Sequence, residues 1–318
     1  MQMSMFAPEV TKETPKQRFC SLANKHFPIN RWIETCEKAY YGDKTKGGRP
    51  PKALEIMLRV IIVKHFYNLS ETCCEAEILE NLTFRKFCVA DDSSELPDDA
   101  TIGKFHRWLV ENGYYKRFFE GDVAQLKKDG VICTEGTIID STITETSKSR
   151  KNKEKSTDRE AGHTKKAGNW KHGYKHHTGT DETSGLIHEI HTTAANVADV
   201  TMTEKCLHGK EKRGWMDSAY LNVEAHIEDE NKRKIKFHIM KRRSSVAKMS
   251  EHSRERRRQI ERKIAGIRAK GEHPFGVFKR KNVVTKSHYR GLQNHEQIAA
   301  FKATMANFFM IGTRSCFA

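Results

Sequence analysis

Residues 131–144 read VICTEGTIIDSTIT. Val, Ile and Thr are branched at Cβ, which suits a packed pleated strand better than a helix. The run predicts a buried strand, and Asp140 stands inside it. A carboxylate among core apolar residues is costly unless it is paired or bound to a cation. A single such Asp is often a structural cap. The pattern recurs downstream in GWMDSAY (214–220), where an apolar strand ends at Asp217. Two acids of this kind in one domain are a stronger signal, because neighbouring strands can bring both to one sheet edge.

Further strands are predicted at Tyr174–Thr180 and Leu186–Thr193, around the turn Asp181–Gly185, and at IKFHIM (235–240). Helices are predicted near Val200–Leu207 and Asn222–Asp229, and a strongly basic helical stretch over 251–270. Strands that alternate with helices indicate an α/β domain with a mixed sheet. Between the first two strands, residues 144–171 are hydrophilic and rich in Lys and Ser, and read as a long basic loop.

Upstream the texture is helical. Short helices are predicted around Gln17–Lys25 and Arg31–Tyr40, followed by a break at KGGRPPK (46–52). Leu54, Met57, Leu58, Ile61 and Ile62 recur with helical spacing and make 53–66 an amphipathic helix. Ser70 is a candidate N-cap for the next helix. Pro97-Asp98-Asp99 opens another, which closes at Gly113. The expected organisation is a polar helical extension (1–48), a helical DNA-binding or assembly domain (49–125) and an α/β catalytic domain (126–318).

The 318 residues carry 57 Lys plus Arg against 41 Asp plus Glu, a formal charge of +16, which favours a polyanionic partner. The excess is local: residues 231–290 hold 21 bases and 4 acids, whereas 71–100 hold 2 bases and 9 acids. Such segregation points to a nucleic-acid track. No apolar run approaches the roughly 18–20 residues of a membrane span. The N-terminus lacks a basic-then-apolar signal, so a cytoplasmic protein is expected. None of the eight cysteines forms C-x-x-C, and most lie in apolar contexts that suit small buried residues. His188 and His191, in LIHEIH, fall one residue short of a zinc motif and lie in a predicted strand, where they point to opposite faces.

A third acid, Glu272, lies among bases in IRAKGEHPFGVFKRK. Pro274 suits a helix start, which puts Glu272 in the first turn of a helix carrying Lys279 two turns on. A Glu there can simply complement the helix dipole. Together, however, three carboxylates suit Mg²⁺ or Mn²⁺. Two such ions can activate a water or a 3′-hydroxyl on a phosphodiester.

At these residues the chain resembles a bacterial insertion-sequence transposase with a DDE active site, of the IS five type. The resemblance runs through about residues 47–310. It is carried by RPPKALEIMLRVIIVKHFYNLS (49–70), ENLTFRKF (80–87), PDDATIGKFHRWL (97–109), TIIDST (137–142), YKHHTGTD (174–181), TTAANVAD (192–199), MDSAY (216–220), EHPFGVFKR (272–280) and SHYRGL (287–292).

The resemblance implies a ribonuclease-H-like catalytic fold with Asp140, Asp217 and Glu272 as catalytic acids and as ligands of two Mg²⁺ or Mn²⁺ ions. The family signature Y-x2-R-x3-E-x6-K falls on Arg268, Glu272 and Lys279, with Ala265 at the tyrosine position. Gly271 and Pro274 argue against one continuous helix through this signature. Lys279 is the expected phosphate contact, with Arg268, Arg280, Lys281 and Arg290 as further DNA-binding candidates. The implied partner is double-stranded DNA, at terminal inverted repeats and target, engaged by a homodimer without a membrane. The alternatives are a repressor derived from such an enzyme and a nuclease of the same fold without strand transfer.

Overall fold

Strand β1 (Gly136–Glu145) forms the middle of the sheet. In this computed structural model the described residues are 13–42, 50–88, 96–133, 135–146, 158–166, 168–227, 235–279 and 287–315. Strand β2 (Gly162–Lys166) is followed by β3 (Asn169–Asp181), β4 (Ile187–Ala194), β5 (Arg213–Met216) and β6 (Lys236–Ile239). β3 runs antiparallel to β1, from Thr137↔Asp181 to Glu145↔Gly173. On its other side β3 pairs with β4 and, further along, with β2. β5 is parallel to β1, and β6 is parallel to β5. The order β4–β3–β1–β5–β6, antiparallel on one side of β1 and parallel on the other, is the ribonuclease-H-like mixed sheet expected from the sequence.

β1 begins later than its apolar run. Gly130 turns at φ +69°, and Val131 and Ile132 both donate to the Leu126 carbonyl, which closes the preceding helix. Ile138 and Ile139 then point to opposite faces. Ile139 packs with Cys206, Met216, Tyr220 and Val223 on one face, and Ile138 with Trp215 and Ile264 on the other. The stretches predicted as helices near 200–207 and 222–229 are short 3₁₀ turns, Asp199–Met202, Glu204–Cys206 and Val223–His226, while residues 228–234 lie outside the described set. Segments this short cannot recover the cost of nucleating an α-helix. Within the basic stretch 144–171, β2 and the first residues of β3 are strands, and 147–157 lie outside the described residues.

The N-terminal region is helical: α1 (Pro15–His26), α2 (Ile29–Tyr41), α3 (Leu54–Tyr67), α4 (Glu71–Glu80), α5 (Leu82–Phe87), α6 (Asp99–Glu111) and α7 (Tyr114–Lys128). Ser70 caps α4 by accepting from the Cys73 N–H, and Asp98 caps α6 by accepting from Thr101. After α8 (Arg243–Ala247) come α9 (Glu251–Lys279) and α10 (Leu292–Ser315). α10 packs against β4 on one side and against α1 and α7 on the other. One apolar core therefore runs from Phe19 and Trp32 through α3 to Leu186, Ile190 and Met310.

The sequence expectation fails at α9. It is one helix of 29 residues with Pro274 inside it. Proline removes a helix N–H and crowds the preceding turn. Tertiary packing holds the helix through both suspected breakers. A Cβ on Gly271 would lie 2.9 Å from Ile138 Cγ2, so glycine lets the helix approach β1 closely. Pro274 is buried and lines one cavity with Thr142, Thr144 and His176 of the sheet. Glu272 consequently sits inside a helix, not at its first turn.

Candidate active site

Ile138 and Trp215 are paired in parallel register, and Asp140 and Asp217 each follow two residues later. Neighbouring strands run about 4.8 Å apart. The two aspartates therefore arise at the same edge of adjacent strands. Asp140 Oδ1 accepts from the Ser141 N–H at 2.8 Å. Asp217 Oδ1 accepts from the Ala219 N–H at 2.7 Å, which caps the turn Ser218–Tyr220 directly after β5. Both side chains remain partly exposed.

α9 crosses the Ile138 face. Arg268 Nη2 lies 3.8 Å from Asp140 Oδ2, so a guanidinium faces this carboxylate. Arg268 Nη1 rests 3.2 Å from Met240 Sδ, and its buried Nε has no hydrogen-bond partner among the described residues. One helical turn on, Glu272 is exposed. It lines a groove of about 740 Å³ with Arg18 and Phe19 of α1 and Phe309 and Met310 of α10. The structure thus brings Asp140 and Asp217 to one sheet edge and Arg268 to Asp140, and leaves the Glu272 carboxylate on the flank. Among the described residues no three acid, imidazole or thiol side chains converge as a metal cage. The donor chemistry of Asp140 and Asp217 still suits a hard divalent ion. The guanidinium opposite Asp140 marks a place where positive charge is already favoured.

Of the expected DNA contacts, Arg290 is exposed just before α10. Lys279 ends α9, but its side chain lies outside the described set, as do Arg280 and Lys281. SHYRGL is held from behind: the Gly291 N–H donates to Asp158 Oδ2 at 3.0 Å, and the Tyr174 hydroxyl donates to Asp158 Oδ1 at 2.8 Å. His188 and His191 lie on β4; His191 Nε2 bonds the Lys205 carbonyl at 2.7 Å, and His188 Nε2 bonds Thr137 Oγ1 at 3.1 Å.

A support beneath the two aspartates was not singled out in the sequence. Lys175 Nζ lies 3.0 Å from Asp199 Oδ1, and buried His177 lies 3.6 Å from the same oxygen. Burial pulls the His177 pKa below its ordinary value, against the opposing pull of Asp199. The turn carrying Asp199 packs on the turn carrying Tyr220. Burial pushes the Tyr220 hydroxyl well above its ordinary pKa, and the charges of Asp199, Asp140 and Asp217 push the same way. Asp199 ends the family-like TTAANVAD and Tyr220 ends MDSAY. That was the available signal, but only the fold shows that the two motifs meet.

The chain matches two family models. One, described as "Transposase DDE domain", covers residues 132–308, and the other, "Transposase domain (DUF772)", covers 8–108. The first spans more than half of the chain, which belongs to the DDE transposase family. No solved structure matches the chain. Domains of this family generally depend on a divalent metal and imply DNA binding. No helix among the described residues is long and apolar enough to cross a membrane.

Proposed function

We propose that the chain is the transposase of an insertion sequence of the IS five type. It binds the terminal inverted repeats of its element, cuts there, and joins the freed 3′-hydroxyls to target DNA. The observation that carries this reading is the pair Asp140 and Asp217 at one edge of adjacent parallel strands, in a chain of the DDE transposase family. Residues 126–318 perform the chemistry, residues 49–125 serve DNA binding or assembly, and the protein works as a homodimer in the cytoplasm.

Asp140 and Asp217 would hold Mg²⁺ or Mn²⁺, and Glu272 would complete the set. Bound ions would supply activation of the attacking oxygen and stabilisation of the leaving one. The protein's own groups set the stage. Arg268 neutralises Asp140 while no DNA is bound. A phosphate that takes up this guanidinium frees the carboxylate and draws on the flank of α9 where Glu272 stands. Lys279, Arg280, Lys281 and Arg290 hold phosphates around the cut.

The test is nicking and joining of DNA carrying the element ends, with binding measured on the same preparations. Asp140→Asn, Asp217→Asn and Glu272→Gln keep side-chain shape and remove the charge a hard cation requires. Each is expected to fold, to bind, and to lose nearly all cleavage, the two Asp changes at least as severely as the Glu change. Normal nicking by any one variant removes that residue from the site. Joining absent while nicking persists in the unaltered protein would favour a nuclease.

A further inference from the structure

Among the described residues the β2–β3 hairpin projects beyond the rest of the sheet. β1 ends at Glu145, opposite Gly173, and the Thr146 N–H donates to the His172 carbonyl; from there to Asn169, among the described residues, β3 pairs with β2 alone. Among the described residues the two strands form a ribbon whose base is well tied. Lys171 Nζ bonds Glu145 Oε1 at 2.7 Å, the His163 and His172 rings lie 4.3 Å apart, and Asp158 is bonded by Tyr174 and Gly291. At the tip stands Trp170, 62% exposed, the most exposed large apolar side chain among the described residues. Lys165 is directly opposite it across the ribbon.

The direction of this ribbon is fixed by register. Asp140 is paired with Thr178, and Trp170 lies eight residues from Thr178 on the same strand. An even separation places Trp170 and Lys165 on the same sheet face as Asp140. Eight residues at about 3.4 Å each put the tip about 27 Å from Asp140. Duplex DNA advances about 3.4 Å per base pair, so this is about eight base pairs. His288 and Arg290 are exposed before α10.

The geometry points to the β2–β3 ribbon as a second DNA-binding element that enters a groove about eight base pairs from the cut, with the Trp170 indole against the bases and Lys165 on the backbone. A two-stranded ribbon fits the major groove, and an indole is a large apolar surface that gains by leaving water. A bare tryptophan flanked by lysines suits a polyanion whose bases offer flat apolar faces. This inference rests on the transposase reading, and the experiment separates the two.

Binding of a fluorescein-labelled 30-base-pair mixed-sequence duplex is followed by anisotropy across a KCl series. The proteins are the full chain and its Trp170→Ala, Trp170→Phe and Lys165→Ala variants. Loss of base–aromatic contact should weaken Trp170→Ala by about 5- to 150-fold with the salt slope unchanged. Trp170→Phe should recover most of the affinity. Lys165→Ala should make the log–log slope shallower by about 0.9. Trp170→Ala that binds like the unaltered protein overturns the inference. So does a loss of self-association, measured by sedimentation without DNA, that accounts for the whole change; the ribbon would then be an arm between copies. An unaltered protein that fails to bind the duplex at all overturns the transposase reading beneath it.

Discussion

Gly271→Ala tests the placement of α9 on the catalytic sheet. The added Cβ would lie 2.9 Å from Ile138 Cγ2. Carbon pairs prefer about 3.5–4.0 Å, so the helix or the isoleucine must yield by about 0.6–1.1 Å. Overpacking of this kind costs about 1–3 kcal/mol. Alanine returns about 1 kcal/mol of helix propensity. The net is a destabilisation of about 0–2 kcal/mol, and the melting temperature should fall by no more than about 8 °C. Function should suffer more than stability. Arg268 and Glu272 flank Gly271 on the same helix, and Arg268 faces Asp140 at 3.8 Å. A displacement approaching 1 Å at a reacting centre can slow chemistry by about 10- to 100-fold.

The assay pairs thermal unfolding with single-turnover nicking at saturating DNA, for Gly271→Ala, Ile138→Ala and the double variant. Binding of DNA should be nearly unchanged. Once Ile138 is cut back, the alanine at 271 meets space, so it should turn from neutral or harmful to stabilising by about 1 kcal/mol. Gly271→Ala that melts higher and nicks at the normal rate in the otherwise unaltered protein would refute the close approach of α9 to β1.

Two further outcomes follow from buried groups. Burial raises the Asp122 carboxyl to about 7, against the hydrogen bond from Trp32 and the charge of Arg31. The folded protein then holds a proton that the unfolded chain releases, so this group's contribution to stability falls as pH rises from about 4 to 7. Asp122→Asn should remove that part of the pH dependence, and parallel melting curves for both proteins across this range would contradict it. The Tyr220 hydroxyl is buried without a hydrogen-bond partner among the described residues. Since an unsatisfied buried hydroxyl costs about 1–3 kcal/mol, Tyr220→Phe should melt at the same temperature or higher. A clear drop in melting temperature would show that the hydroxyl has a partner.

The sequence by itself determined the elements whose signals are local. The run TIIDSTIT is a strand because branched side chains pack on a pleat, and it carried Asp140 with it. GWMD became β5 and delivered Asp217 to a strand end. The spacing from Leu54 to Ile62 made α3, and Ser70 and Asp98 capped the helices that follow them. Tertiary structure decided whatever depends on partners distant in the chain. Gly271 and Pro274 read as helix breakers because their local cost is real. The helix continues through them where Ile138, more than 130 residues upstream, packs against Gly271 and where Pro274 is buried at a cavity it shares with Thr142 and His176. The same crossing angle sets Arg268 against Asp140 and leaves Glu272 beside α1 and α10, a choice of face that spacing along α9 cannot reveal. Lysine-rich 162–171 carries no apolar alternation, so it read as a loop; pairing with its own continuation makes it a ribbon. Asp199 and Tyr220 are 21 residues apart in separate turns, and only the folding of those turns onto one sheet face brings their charges and ring together.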